Sequence, residues 1–191
     1  MKKIVVVGAG ALGSHLVQFV REVDAEIVAV DFDRIEQKNV LSQFHSRTNV
    51  GLSKAPSLAK TMNFLFGRKV SAISNRLTEG NVTEILGSAD LVVDCLDNGA
   101  SRRVVQVFVR SRGIPCLHGA LAPNGEFGMS VWDEHFKIDD EPGAGAATCE
   151  DGEHLPFIAL TAAYLARSVQ AFIASGRKTG YSVSPGGAVV H

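Results

Sequence analysis

Short β-branched runs alternate with stretches of helical apolar spacing along the chain as far as residue 121. Residues 4–7, Ile4-Val5-Val6-Val7, are continuously apolar, the pattern of a parallel strand covered on both faces. Residues 11–23 place Leu12, Leu16, Phe19, Val20 and Val23 at helical intervals. Residues 27–30 predict a second buried strand, ending at Asp31, and residues 34–51 are polar and irregular. A helix is predicted over 54–66, stopped at Gly67, then a strand over 70–75 and a short helix from Asn81. Residues 91–93 predict a buried strand ending at Asp94; 101–112 a helix stopped at Gly113; 114–121 another strand.

This alternation predicts an α/β fold: a Rossmann-like, mostly parallel sheet, helices on both faces, right-handed crossovers. The pattern then changes. Residues 127–132 alternate after the turn-like Pro123-Asn124-Gly125 and predict an antiparallel strand. Residues 133–155 are polar, rich in glycine and acids, and predict a mobile loop. Pro156 opens a long apolar helix to about Ser175, and residues 181–190 predict one or two short strands. The expected organisation is one domain, 1–191, with an antiparallel C-terminal extension.

Composition narrows the function classes. Apolar residues make 46% of the chain and charged residues 20%, ordinary for a soluble domain. A net charge of −1 implies no nucleic-acid partner and no attraction to an anionic membrane. No uninterrupted apolar stretch is expected to span a bilayer. Glycines break the run after Met1-Lys2-Lys3 too early for a signal peptide. Three cysteines without an export signal predict reduced thiols and a cytoplasmic location.

The chemistry begins at Gly8-Ala9-Gly10-Ala11-Leu12-Gly13, between a strand and a helix. Gly8 permits a tight turn, Gly10 lets backbone approach phosphate, and Gly13 lets helix and strand pack closely. The helix start adds unpaired N–H groups and positive partial charge. Asp31, at the end of the second strand, suits ribose hydroxyls. The unit predicts adenine-nucleotide binding without separating NAD from ATP.

Four further motifs follow in order: Asp31-Phe32-Asp33-Arg34-Ile35-Glu36 with Asn39 and Gln43; Gly51-x-x-Lys54-Ala55; Asp94-Cys95-Leu96-Asp97-Asn98; and Arg102. Together they resemble the ThiF/MoeB/HesA family, bacterial relatives of the ubiquitin-activating enzymes. The resemblance runs from Lys3 to about Ser175. It implies an ATP-dependent adenylyltransferase that activates the C-terminal carboxylate of a small ubiquitin-like or sulfur-carrier protein as an acyl-adenylate. It also implies a homodimer, and possible hand-over to a conjugating enzyme or sulfurtransferase. By resemblance, Gly8, Ala9, Gly10 and Gly13 cradle the nucleotide and Asp31 holds ribose. Asn39 and Lys54 contact phosphates, and Asp97 holds magnesium (Mg2+) near the reacting phosphate. Arg102 lies close by in support, and Asp33, Gln43 and Asn98 complete the set.

The chain departs from the family pattern in three places. Ser42 stands where many members have Arg before the Gln, with Arg47 a nearby substitute. The chain begins at the first strand, without the N-terminal helix whose Arg reaches a partner's site in many members. The paired CxxC motifs of zinc-binding relatives are missing, so no zinc is expected. Thr148-Cys149-Glu150 resembles the family's crossover loop, where a cysteine in some relatives takes the activated carboxylate. Glu150 and Asp151 work against a reactive thiol there, and an idle loop cysteine is the alternative. Cys95 and Cys116 read as small core residues, and His118 as a packed, hydrogen-bonded histidine. Trp132 looks exposed, and Phe64, Phe66, Phe157 and Phe172 look like core or subunit contacts. Two rival functions remain open: a catalytically impaired ATP-binding scaffold, and an NAD-dependent oxidoreductase, which leaves Asn39, Lys54 and Asp97 without a purpose.

Overall fold

The first strand, β1 (Lys2–Val7), sends Ile4 and Val6 to one face and Val5 and Val7 to the other, and all four are buried. Such a strand must sit in the middle of a sheet with both faces covered. The computed structural model, which describes residues 1–138 and 152–191, places it there. β2 (Ala25–Val30), β3 (Ser71–Ile73), β4 (Leu91–Asp94) and β5 (Cys116–Leu121) run parallel to it. β6 (Gly128–Trp132), β7 (Tyr181–Ser184) and β8 (Gly187–Val190) complete the sheet by antiparallel pairing. The order is β3-β2-β1-β4-β5-β6-β7-β8.

Three helices cover one face: α1 (Ala11–Phe19), α2 (Lys54–Phe66) and α5 (Leu155–Ser175) bring Leu16, Leu58 and Leu165 onto Ile4 and Val6. Two cover the other: α3 (Val82–Leu86) and α4 (Gly99–Arg112) bring Ile85, Val105 and Val109 onto Val5 and Val7. Each such side chain contributes about 1.5–3 kcal/mol on burial. The chain leaves β1 towards β2 on one side and reaches β4 on the other. The switch point therefore lies between β1 and β4, where open α/β sheets form their crevice.

Several expectations need correction. Trp132 is buried, not exposed: it packs on Phe172 with centroids 5.1 Å apart, and its indole N–H donates to Thr179 O at 3.1 Å. Of the two alternatives for Phe64 and Phe66, core or subunit contact, the core is excluded: they are 86% and 40% exposed. α1 ends at Phe19, not residue 23, because the chain must turn into β2; Val20 and Val23 stay buried in that turn. The irregular stretch 34–51 contains two 3₁₀ turns, Gln37–Leu41 and Arg47–Asn49. The start of the expected mobile loop is packed, since Asp133 and Phe136 are buried; residues 139–151, Cys149 included, lie outside the described part. α5, at 21 residues, is long and apolar enough to cross a membrane, contrary to the reading of the sequence. In the fold its Phe157, Ile158, Leu165 and Val169 face are buried.

Candidate nucleotide site

Backbone proximity explains the glycine loop. Gly8 has φ of 95° and donates its N–H to Val30 O at 2.8 Å. A Cβ on Gly8 would stand 2.8 Å from the Cys95 carbonyl, and one on Gly13 only 1.8 Å from the Gly8 carbonyl. The loop is thus pressed between the end of β4 and the first turn of α1. That helix starts after Gly10 with no side-chain cap, so its first N–H groups are available to an anion.

Asp31 is a brace as well as a candidate ribose acceptor. Its Oδ2 accepts from Ala9 N at 2.7 Å and its Oδ1 from Asp33 N at 2.8 Å. Burial raises its pKa, opposed chiefly by the Lys54 charge. Lys54 is the first residue of α2 and is buried, with Nζ 3.4 Å from Asp33 Oδ2. A cation in a first turn opposes the helix dipole. Here the neighbouring carboxylates hold it at the mouth of the sheet.

Asn39 and Gln43 are both buried. Asn39 Oδ1 accepts from Glu36 N at 2.8 Å, so this residue also builds the turn. Gln43 Oε1 is buried with no hydrogen-bond partner, an orphan acceptor that a bound donor would satisfy. Ser42 is fully buried, and Arg47 sits exposed in its 3₁₀ turn. Two histidines that the spacing gave no reason to single out hold this segment in place. His15 Nε2 donates to Ser42 O at 3.0 Å, and His45 Nε2 donates to Ala9 O at 2.8 Å.

The third element of the site follows β4. Asp97 is exposed, with Asn98 Nδ2 at 3.5 Å; Asn98 caps α4 by accepting from Ser101 N at 2.9 Å. Arg102 follows in the first turn of α4. It is buried, and its guanidinium donates to the carbonyls of Leu96 and Gly119 (the latter at 2.7 Å) and to Asp94 Oδ2 at 3.3 Å. Asp94 Oδ1 accepts from Leu96 N at 2.9 Å, so Asp94 and Arg102 together shape the loop that carries Asp97. Behind them lies His118, fully buried, with Nδ1 2.8 Å from Asp94 Oδ2 and Nε2 3.0 Å from Asp133 Oδ1. Its ring stacks on Phe136 at 4.0 Å. Burial would raise the Asp133 pKa, but hydrogen bonds from Arg110, Gln106 and His118 win and lower it.

Burial pushes the Cys95 and Cys116 thiols well above their ordinary range, with the Asp94 charge adding to it, as suits core residues. Among the described residues no three His, Cys, Asp or Glu side chains gather as a metal cluster. Asp97 as one carboxylate beside substrate phosphates is the arrangement magnesium commonly takes.

His45 makes the free protein acid-sensitive. Burial lowers its pKa from 6.5 to about 4, and the Lys54 and His15 charges add to this, against the bond to Ala9. A folded pKa below the unfolded one means that the native state binds fewer protons between those values, so stability falls as pH falls through that window. Urea titrations at pH 7 and pH 5 should differ by about 2 kcal/mol from this residue. His45→Gln should remove that part of the difference.

The sheet order, the glycine loop after β1 and the carboxylates after β2 and β4 define a Rossmann-type α/β domain. The ThiF family matches residues 1–169, and the chain belongs to that family. It is 37% identical over 122 residues to the SAMP-activating enzyme E1 of Haloferax volcanii, covering 62% of this chain and 45% of that protein. It is 38% identical over 161 residues to the adenylyltransferase and sulfurtransferase UBA4 of Lodderomyces elongisporus, covering 78% of this chain and 35% of that protein. The chain therefore spans less than half the length of these relatives. Among solved structures, E. coli MccB with MccA-N7isoASN superposes over all of this chain and 63% of its own, at a TM-score of 0.81 and 17% identity. E. coli MccB with ATP gives 0.77, also at 17% identity. These two likenesses show the fold.

Proposed function

We propose that the protein activates the C-terminal carboxylate of a small ubiquitin-like or sulfur-carrier protein by adenylation with ATP. One observation carries the reading: the glycine loop, Asp31 with Asp33 and Lys54, and the loop of Asp97 follow the carboxyl ends of the neighbouring parallel strands β1, β2 and β4. An oxidoreductase needs the first and Asp31; it has no use for a buried lysine and a loop carboxylate held across the crevice.

In this reading the first N–H groups of α1 and the Lys54 ammonium receive the triphosphate. Asp31 holds ribose, and the orphan Gln43 Oε1 accepts from the nucleotide. Asp97 holds magnesium, which when bound supplies charge neutralisation at the phosphates. The incoming carboxylate oxygen bonds to the α-phosphorus, and the bond from that phosphorus to the bridging oxygen breaks, releasing pyrophosphate. Two anions must approach, so catalysis is positioning and charge stabilisation. The small protein's tail lies extended across the sheet mouth towards Gly10 and Asp97, its Gly-Gly end slim enough to reach. A cytoplasmic homodimer, passing product to a conjugating enzyme or sulfurtransferase, completes the proposal.

Binding of MgATP and NAD should be compared side by side. ATP–pyrophosphate exchange should then be measured with a ubiquitin-fold protein ending in Gly-Gly. MgATP preference and exchange dependent on the small protein are expected; preference for NAD would overturn the reading.

A further inference from the structure

The middle residue of the glycine loop is held from both sides. Ala9 N–H is taken by Asp31 Oδ2 at 2.7 Å, and Ala9 C=O by His45 Nε2 at 2.8 Å. With its carbonyl turned to His45, the loop keeps an acceptor away from any anion in the crevice, and the following N–H groups at the start of α1 face it. His45 is 7% exposed and reaches the loop from a segment that His15 ties to α1 through Ser42 O. Around the ring stand His15 from α1, Lys54 from α2 and, across the Ala9 residue, Asp31 from the end of β2; Asp33 lies against Lys54.

We propose that His45 is a positioning residue of the phosphate loop, acting through the Ala9 carbonyl, and that it takes up part of a proton when a triphosphate fills the crevice. The inference rests on the nucleotide reading above. In the free protein the ring is kept neutral by burial first, and by the Lys54 charge beside it. A triphosphate beside Lys54 offsets the Lys54 part of that push, while burial persists, and adds negative charge across one peptide unit from the ring. At pH 7 a fraction of a proton is then taken from solvent, onto the nitrogen not bonded to Ala9. The donor to Ala9 becomes charged, and a charged donor makes the stronger bond.

Titration calorimetry of MgATP at pH 7, in buffers of different ionisation enthalpy, reads the proton directly. Wild type should take up a fraction of a proton on binding, beyond that of MgATP itself. His45→Gln keeps a donor for Ala9 but has no basic nitrogen, so it should bind within about threefold of wild type and lose the uptake. His45→Leu leaves the carbonyl unpaired and should bind about tenfold more weakly, with a folded state verified by circular dichroism. His15→Gln should retain the uptake. Unchanged uptake in His45→Gln, or unchanged affinity in His45→Leu, overturns the proposal while leaving the nucleotide reading intact. No MgATP binding by wild type removes both.

Discussion

An Asp97→Asn protein should retain its thermal midpoint and bind MgATP, yet exchange pyrophosphate on the order of 10²–10³-fold more slowly than wild type. The midpoint should hold because Asp97 is exposed and, among the described residues, its side chain makes only a long contact, 3.5 Å, with the Asn98 amide. The loop shape is set elsewhere, by Asp94 and Arg102. The loss should fall on turnover, since a carboxylate that steadies magnesium at the reacting phosphate matters most when charge moves there. Lys54 is a less clean target. Removing it leaves Asp31 and Asp33 without their cation, so stability and binding would change together. Exchange by Asp97→Asn within a few-fold of wild type would show that the reaction is not organised on this loop.

His118→Leu should destabilise the fold by about 3–5 kcal/mol, read as a lower urea midpoint. The ring fills a fully buried position between Asp94 and Asp133, which meet its two nitrogens at 2.8 and 3.0 Å. Leucine would leave both carboxylates without that partner, with Arg102 and the Leu96 N–H left on Asp94 and Arg110 and Gln106 left on Asp133. Against a total stability of about 5–15 kcal/mol, such a loss is severe. A double-mutant cycle with Asp133→Asn tests the mechanism. Coupling above about 1 kcal/mol is expected, whereas additivity within about 0.5 kcal/mol would mean that the ring acts by packing alone. The network joins the loop bearing Asp97 to the segment that follows β6. Exchange by a His118 variant that remains folded should therefore fall as well.

The order of strands and helices was legible because each element repeats its own period. β-branched runs announced the strands buried on both faces, and Gly67 and Gly113 stand where α2 and α4 end. The glycine loop and Asp31 were legible because a tight turn and a strand-end carboxylate are local features. Trp132 was misjudged because alternation along β6 gives two faces without saying which one α5 covers. His118 reads from sequence as a packed histidine, and so it is, but its carboxylate partners lie on β4 and in the turn after β6. His45 had no signal of its own: it lies in an irregular stretch whose periodicity predicts nothing. A distinguishing mark would have been one more polar residue placed two after Gln43, too common to notice.

Chain order and residue type alone established an alternating α/β domain with a glycine loop, a strand-end acid and a lysine and a carboxylate spaced as in the ThiF family. Those are statements about neighbours along the backbone, where steric and hydrogen-bonding rules act over a few residues. Tertiary structure alone decided that Ala9 is gripped by Asp31 and His45, that Arg102 binds the carbonyls of Leu96 and Gly119, and that Asp94, His118 and Asp133 form one buried hydrogen-bonded chain. Such contacts depend on directions and distances set by the packing of whole elements, and burial gives them their strength by removing the water that would otherwise compete.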